Sequence, residues 1–251
     1  GWIVLSLFGA LPYVFSGVIP NYIDAVFETV SGFTTTGATV LYPLEGLPTG
    51  VLFWRAQTQW MGGVGVLVLA LALVPKLGEG SVYLMRAESP GPIKSKLTPR
   101  LSDTAKILYC IYIGLTVAET ICLRLAGMNW YEALTHAFTT VSTGGFSVRN
   151  ASIAAYDSMV IDWIIIVFMF LSGVNFALLF YAVRRNFKAV FESEELRSYT
   201  IMTVVAVALI VLNLVVQAGW TLNAETITDA TFQVVTLMTT TGYMTYDYVL
   251  W

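Results

Sequence analysis

Four long apolar segments constrain the fold of this chain more than any other feature of its sequence. They occupy residues 50–74, 104–126, 159–183 and 199–218, and a shorter apolar stretch occupies residues 2–18. A helix of about 20 apolar residues is long enough to cross the hydrocarbon core of a bilayer. Charged residues make up only 12% of the chain and hydrophobic residues 57%, whereas a soluble domain carries roughly a quarter charged residues. The sequence therefore predicts an all-α integral membrane protein.

The distribution of charge predicts how these segments are oriented. Basic residues are concentrated in two connectors, 76–103 and 184–198, which the positive-inside rule places on the cytoplasmic side. The alternate connections are acidic and are therefore expected to face outward. A net charge of −3 without a basic stripe gives no support to nucleic-acid binding. Cys110 and Cys122 lack the spacing of a metal or disulfide site, and we interpret them as small hydrophobes.

Each outward connection contains a half-length amphipathic stretch that ends in a Thr/Gly cluster. The clusters are TTTGAT at 34–39, STGGFS at 142–147 and TTTGYM at 239–244. With Gly37, Gly144 and Gly242 in register, two further sets of residues align: Phe27 with Leu134 and Phe232, and Ala25 with Glu132 and Ala230. This self-similarity indicates an internal repeat. Stretches too short to span are expected to be re-entrant, which is tolerated where backbone lines a water-filled cavity.

The repeated clusters have the chemistry of a potassium-selective filter. Rings of backbone carbonyls replace the hydration shell of K⁺, glycine allows the backbone to turn them toward an axis, and hydroxyls add further ligands. A half-helix also directs its negative C-terminal end toward the ion. A single cluster of this kind is usually only a helix cap with a left-handed glycine, but three copies favour a filter. The candidate ion ligands are Thr35, Thr36, Gly37, Ala38, Ser142, Thr143, Gly144, Gly145, Thr240, Thr241, Gly242 and Tyr243.

Three segments resemble the Trk/Ktr superfamily of potassium uptake proteins, and within it the TrkH-type transmembrane subunit. They are VFETVSGFTTTGATVL at 26–41, AFTTVSTGGFS at 137–147 and FQVVTLMTTTGYMTYDY at 232–248. Two further phrases, FWRAQTQWMGGVGVLVLALALVP at 53–75 and SGVNFALLF at 172–180, resemble the family's inner helices. The resemblance covers almost the whole chain.

The resemblance implies four helix, pore-loop, helix repeats around a pseudo-fourfold pore. This chain would supply most of the first repeat (1–75), all of the second (104–183) and part of the third (199–251). It implies K⁺ uptake, with K⁺ as the transported ion, no covalently bound cofactor and no enzymatic activity. It also implies a multi-pass protein of the inner (cytoplasmic) membrane, surrounded by lipid, that forms a homodimer and binds a cytoplasmic nucleotide-binding regulatory subunit. The basic connector from Lys76 to Lys106 would meet that subunit, or the membrane surface.

The ends of the chain predict a fragment. The sequence begins at Gly1 without a methionine or a signal-peptide pattern. It ends at Trp251, a few residues after the third Thr/Gly cluster, although each earlier cluster is followed by a long apolar helix. We therefore expect the chain to be truncated at both ends.

Several single residues have two interpretations each. Glu28 either attracts cations at the outer mouth or braces its half-helix, and His136 either makes a structural hydrogen bond or titrates. Asn175 either bonds a neighbouring helix or lines the inner cavity. Charged residues within spans are costly, so we expect structural pairing for three of them, with Arg124 also reaching toward the outer surface: Arg55, Glu119 and Arg124.

Three other classes of function are alternatives to a channel. A membrane enzyme needs convergent catalytic groups, and the chain has one histidine and no carboxylate cluster within a span. A secondary cation symporter also uses broken helices, but the repeats here run in the same orientation. A non-conducting scaffold subunit is disfavoured by the intact clusters.

Overall fold

A computed structural model describes residues 2–65, 98–217 and 219–246, and every regular element in those ranges is helical. The α-helices in chain order are α1 (Trp2–Gly9), α2 (Leu11–Phe15), α3 (Tyr22–Phe33), α4 (49–65), α5 (Thr98–Leu125), α6 (Trp130–Val141), α7 (Met159–Ser172), α8 (Phe176–Val183), α9 (Phe187–Phe191), α10 (Glu194–Val216) and α11 (Ala224–Met238). A short 3₁₀ segment occupies Ser152–Tyr156. The all-helical prediction is confirmed.

Two helices of the described residues are long and apolar enough to cross a membrane, within Lys106–Leu125 and Glu194–Val216. They correspond to the predicted spans 104–126 and 199–218. Only 11% of the apolar window of α10 is buried, so the described residues leave most of the surface of this helix uncovered.

Part of the predicted organisation lies outside the described residues. The predicted span 50–74 begins with α4, but its second half does not belong to the described part. The same holds for most of the basic connector 76–103.

The predicted span 159–183 is not one helix, which corrects the sequence prediction. It is divided into α7 and α8 by a break at residues 173–175. A Cβ atom at Gly173 would lie 2.8 Å from the Tyr199 hydroxyl and 2.9 Å from the Thr239 Cγ2 atom. The absence of a side chain at Gly173 therefore allows the end of α7 to pack closely against α10 and the third cluster. Asn175 Nδ2 donates to Glu195 Oε2 on α10 at 3.1 Å. This contact fits the interhelical alternative for Asn175.

The core is formed by the three half-length helices and the helices around them. One cluster of buried residues joins α5, α7 and α11, and includes Leu123, Ile165, Met169, Phe232 and Tyr243. A second joins α2, α3 and α4, and includes Tyr13, Ala25 and Leu52. The short helices α3, α6 and α11 are therefore held inside the protein, as re-entrant segments require.

Candidate functional site

The three half-length helices are built alike from end to end. Each begins after an asparagine whose side chain accepts a backbone N–H of the first turn, which stabilises a helix N-terminus. The capping residues are Asn21, Asn129 and Asn223. Each helix ends four residues before a glycine, at Phe33, Val141 and Met238. The repeat inferred from sequence is therefore a repeat of structure.

The backbone conformation shows which residues of the clusters are equivalent. In each cluster two residues with positive φ flank one without it. The first, here called the threonine position, has φ of 54° at Thr35, 52° at Thr143 and 59° at Thr240. The third, the glycine position, has φ of 79° at Gly37, 74° at Gly145 and 86° at Gly242. Between them lies the middle position, which comprises Thr36, Gly144 and Thr241.

This pattern corrects the sequence register by one residue. Gly145, not Gly144, is the equivalent of Gly37 and Gly242. The sequence STGGFS offers two consecutive glycines, and only the backbone conformation separates their roles. The corrected register also aligns three alanines that are all fully buried, Ala25, Ala133 and Ala230, in place of the earlier match to Glu132.

Hydrogen bonds fix the direction of the cluster backbone. The N–H of each threonine position donates to the carbonyl three residues earlier, and the N–H of each middle position donates to the carbonyl five residues earlier. The N···O distances are 3.0, 2.9 and 3.1 Å for the threonine positions Thr35, Thr143 and Thr240. They are 2.9, 2.8 and 2.9 Å for the middle positions Thr36, Gly144 and Thr241. Alternating backbone conformations bring successive N–H groups to one side. Because the C=O and N–H of one trans peptide point in opposite directions, the carbonyl oxygens of the residues that precede the threonine and middle positions face away from the half-helix.

The threonine position distinguishes these clusters from ordinary helix caps. The hydrogen bonds are those of a Schellman cap, whose left-handed residue is usually glycine. Here that residue is threonine in all three copies, although a β-branched side chain is rarely found at positive φ. Strain of this kind costs about 1–3 kcal/mol per residue and concentrates at functional sites. The simple-cap interpretation therefore does not account for the clusters.

Neighbouring clusters lie against one another in chain order. A Cβ atom at Gly37 would overlap the carbonyl oxygen of Gly144, and a Cβ atom at Gly145 would overlap the carbonyl oxygen of Thr241. A Cβ atom at Gly242 would meet no described heavy atom within 4 Å. Glycine is thus required where one cluster receives the carbonyl of the next, and no described residue lies against the third cluster at Gly242.

A side chain nine residues before each glycine position braces the segment that follows the cluster. Glu28 accepts hydrogen bonds from Thr39 Oγ1 at 2.8 Å and from Val40 N–H at 2.9 Å. The equivalent side chains are His136, whose Nε2 lies 3.0 Å from Ser147 Oγ, and Gln233, whose Nε2 donates to the Tyr246 carbonyl at 3.1 Å.

Glu28 is buried, so its position favours the bracing alternative. Its side chain is fully buried, and Oε1 accepts from Arg55 Nε at 2.7 Å. The adjacent Arg55 guanidinium carries the opposite charge, so the pair as a whole has a weak long-range field. The bracing alternative describes the observed geometry.

His136 makes structural hydrogen bonds. Its Nδ1 lies 2.8 Å from the Glu132 carbonyl oxygen, which can only accept, so Nδ1 carries the proton and Nε2 accepts from the Ser147 hydroxyl. Burial is the main cause that lowers the pKa of His136 from 6.5 to about 4. The imidazole is therefore neutral at physiological pH.

Two residues of α4 hold the second cluster, and sequence reasoning missed one of them. Arg55 donates to the Ser147 carbonyl at 2.8 Å and lies 3.6 Å above the Phe146 ring. Gln59 Nε2 donates to the Gly144 carbonyl at 2.7 Å. The available signal for Gln59 was a polar amide within a predicted span, which usually has a functional or packing partner.

The residues after the glycine position differ in exposure: Ala38 is exposed, whereas Phe146 and Tyr243 are buried. Tyr243 is fully buried; its hydroxyl donates to the His136 carbonyl at 3.2 Å and contacts the Thr139 hydroxyl. Any contribution of Tyr243 to an ion path is thus through its backbone. Ser142 is the C-cap residue of α6, one residue before the alternating segment.

The charged residues within spans differ in their partners. Arg55 has the expected structural pairing, with Glu28. Arg124 donates to the Met128 carbonyl at 3.3 Å and lies 5.7 Å from the Trp130 ring, toward the end of its helix as predicted. The pairing expected for Glu119 is not observed: it is fully buried, and neither carboxylate oxygen has a hydrogen-bond partner among the described residues.

Comparison with known proteins identifies the family. The family model described as TrkH, cation transport protein, matches residues 1–251. The chain belongs to the TrkH family. It is 44% identical to the Trk system potassium uptake protein TrkH of Halomonas elongata over 256 residues, which cover 100% of this chain and 52% of that protein. It is 43% identical to the protein of the same name from Escherichia coli strain K12, covering 100% of this chain and 52% of the relative.

The fold is similar to a solved TrkH structure. The crystal structure of the potassium transporter TrkH from Vibrio parahaemolyticus matches with a TM-score of 0.87 and 35% sequence identity, over 100% of this chain and 51% of that one. This chain therefore spans about half the length of the TrkH-family relatives that it matches. The match supports the membrane helical fold predicted from sequence.

Proposed function

We propose that the full-length protein carries K⁺ across the cytoplasmic membrane through a filter built from these clusters. One observation carries the proposal: three equivalent clusters lie side by side, with their N–H groups bonded to the half-helices and their carbonyl oxygens on the other side. Such oxygens can replace the hydration shell of a cation. The family membership supports transport as the function, because the similar proteins are named potassium uptake proteins.

The proposed ion ligands are backbone oxygens of the threonine, middle and glycine positions. They comprise the carbonyls of Thr35, Thr36 and Gly37 and their equivalents in the second and third clusters. A closed ring would need a further cluster beside Gly242, where no described residue lies, in keeping with the four repeats implied by the family resemblance. We propose that the homodimer and the cytoplasmic nucleotide-binding subunit also belong to the full-length protein.

The test is rubidium uptake into liposomes by the full-length protein, with Gly145→Ser as the variant. Serine at Gly145 would meet the Thr241 carbonyl, so we expect uptake to fall at least about tenfold, the effect of roughly 1.4 kcal/mol. Gly17→Ser is the matched control, because Gly17 has the same positive φ as Gly145, 74°, but a Cβ atom there meets no described heavy atom within 4 Å. It should carry a similar backbone strain and retain uptake.

The same measurement separates the competing functions. Absence of uptake by the unaltered protein would support a scaffold subunit, and uptake that requires a second ion would support a symporter. Equal uptake and equal preference for K⁺ over Na⁺ in the Gly145 and Gly17 variants would refute the filter.

A further inference from the structure

The second cluster lacks a side chain that the other two possess. At the middle position, Thr36 Oγ1 lies 2.7 Å from Thr34 Oγ1 in the first cluster. In the third cluster, Thr241 Oγ1 lies 2.8 Å from Thr239 Oγ1. These hydroxyl pairs tie the middle position to the end of the half-helix. Gly144 occupies the middle position of the second cluster and has no hydroxyl to offer.

Gln59 of α4 fills the space that this missing side chain would occupy. A Cβ atom at Gly144 would lie within 2.7 Å of Gln59 Nε2 and closer still to the rest of the amide group. The Gln59 side chain is fully buried. A residue from the first repeat therefore completes the cluster of the second repeat.

The orientation of the Gln59 amide is fixed by its two hydrogen bonds. Oε1 accepts from the Phe146 N–H at 3.1 Å, and Nε2 donates to the Gly144 carbonyl at 2.7 Å. Because a backbone N–H can only donate, the oxygen must face Phe146 and the nitrogen must face Gly144. The two hydrogen bonds are thus made to the residues on either side of Gly145, which is the glycine position of this cluster.

Arg55 reinforces this contact from the same face of α4. It lies one helical turn before Gln59, a spacing that places both side chains on one face. Arg55 holds the Ser147 carbonyl by a hydrogen bond and lies over the Phe146 ring, so it contacts the residues that follow Gly145. One face of α4 therefore contacts residues 144–147 through the side chains of Arg55 and Gln59.

We propose that Gln59 is a positioning residue that substitutes for the absent threonine side chain and fixes the Gly144 carbonyl for ion selection. This inference rests on the proposed filter. A carbonyl oxygen has two lone pairs, so the Gly144 oxygen can accept from Gln59 and still face a cation. Selectivity depends on the position and number of such oxygens, and the amide sets the position of this one.

The first test replaces Gln59 in the full-length protein and measures rubidium uptake in competition with Na⁺. Gln59→Glu retains an acceptor for the Phe146 N–H but directs an oxygen at the Gly144 carbonyl. We expect its preference for K⁺ over Na⁺ to fall by roughly five- to tenfold, the range that follows from loss of one buried hydrogen bond. Gln57→Glu is the matched control, on the same helix two residues away, and should retain the preference.

The second test adds a side chain at position 144 and then removes the one at position 59. Gly144→Thr restores the threonine found in the other clusters but overlaps Gln59, so we expect loss of uptake. Gln59→Ala in combination with Gly144→Thr removes the overlap and should recover uptake and selectivity. Such coupling between adjacent sites is what a double-mutant cycle measures.

The outcomes distinguish this inference from the proposed function. A full-length protein that shows no selective uptake contradicts the filter itself. If that protein is selective, the positioning role is overturned by a folded Gln59→Glu variant with unchanged K⁺ preference, or by a double variant no more active than Gly144→Thr alone. Thermal unfolding of each variant in detergent reports whether it is folded.

Discussion

Individual residues of the site are held by contacts that bury charge and polar groups. Glu28 is the clearest example, because it is fully buried and bonded to Arg55 and to the backbone of Val40. Sequence alone suggested bracing as one of two roles for Glu28, but could not identify Arg55 as the partner. The two residues are 27 positions apart, and their contact depends on how α3 packs against α4.

Replacing Glu28 by glutamine should destabilise the protein strongly. Removal of one partner of a buried ion pair leaves an uncompensated charge, which costs about 3–5 kcal/mol. Glu132→Gln provides a comparison: its partner Arg149 has 42% of its side chain exposed, so solvent compensates and the cost should be about 1 kcal/mol or less. Thermal unfolding in detergent measures both. Similar losses for the two variants would contradict the distinction.

Acidification should destabilise the protein through His136. Above about pH 6.5 the imidazole is neutral in the folded and unfolded states alike; as the pH falls toward about 4, only the unfolded state binds the proton. The lowered pKa therefore predicts a loss of up to roughly 3 kcal/mol across this range. The neighbouring Glu132 and Arg149 also act on this pKa, in opposite directions.

Unfolding temperatures at pH 7 and pH 5 test this prediction. The unaltered full-length protein should lose more stability between the two pH values than His136→Gln, which cannot titrate. An equal loss in the two proteins would show that other groups cause the acid sensitivity.

At the scale of the helices, the sequence located most elements but not their ends or breaks. Helix α10 begins at Glu194 rather than near Tyr199, because the Ser193 hydroxyl accepts the Leu196 N–H at 3.4 Å and acidic residues occupy the first turn. The span 159–183 appeared continuous because hydropathy persists across Gly173. Gly173 packs closely against Tyr199 and Thr239 at the break, and a hydropathy profile contains neither the break nor these contacts.

The close packing at this break can be tested with Gly173→Ala. The new methyl group would press on the Tyr199 hydroxyl and on Thr239, so we expect a lower unfolding temperature and weaker ion selectivity through the third cluster. Removal of the hydroxyl in Gly173→Ala/Tyr199→Phe should restore part of the loss. Gly114→Ala is the control, because a Cβ atom there meets no described heavy atom within 4 Å and alanine favours a helix by about 1 kcal/mol. A double variant no more stable than Gly173→Ala would contradict the contact.

At the scale of the whole molecule, the repeat was predictable and its register was not. Composition and spacing were sufficient for an all-helical membrane protein with three half-length helices that each end in a Thr/Gly cluster, and the TrkH family match agrees with the membrane fold. The register failed at Gly144 and Gly145 because two adjacent glycines are indistinguishable as letters. Gln59 was missed because its partner lies 85 residues away, in another repeat.

The pairing of Gln59 with Gly144 has an evolutionary consequence. In a ring of four identical subunits, one codon change alters all four positions together, and a defect is multiplied by four. Here the clusters are encoded separately within one chain, so glycine stands at the middle position of the second cluster while threonine stands there in the other two. Clusters joined in one chain can therefore differ in sequence one at a time while they keep the same backbone conformation.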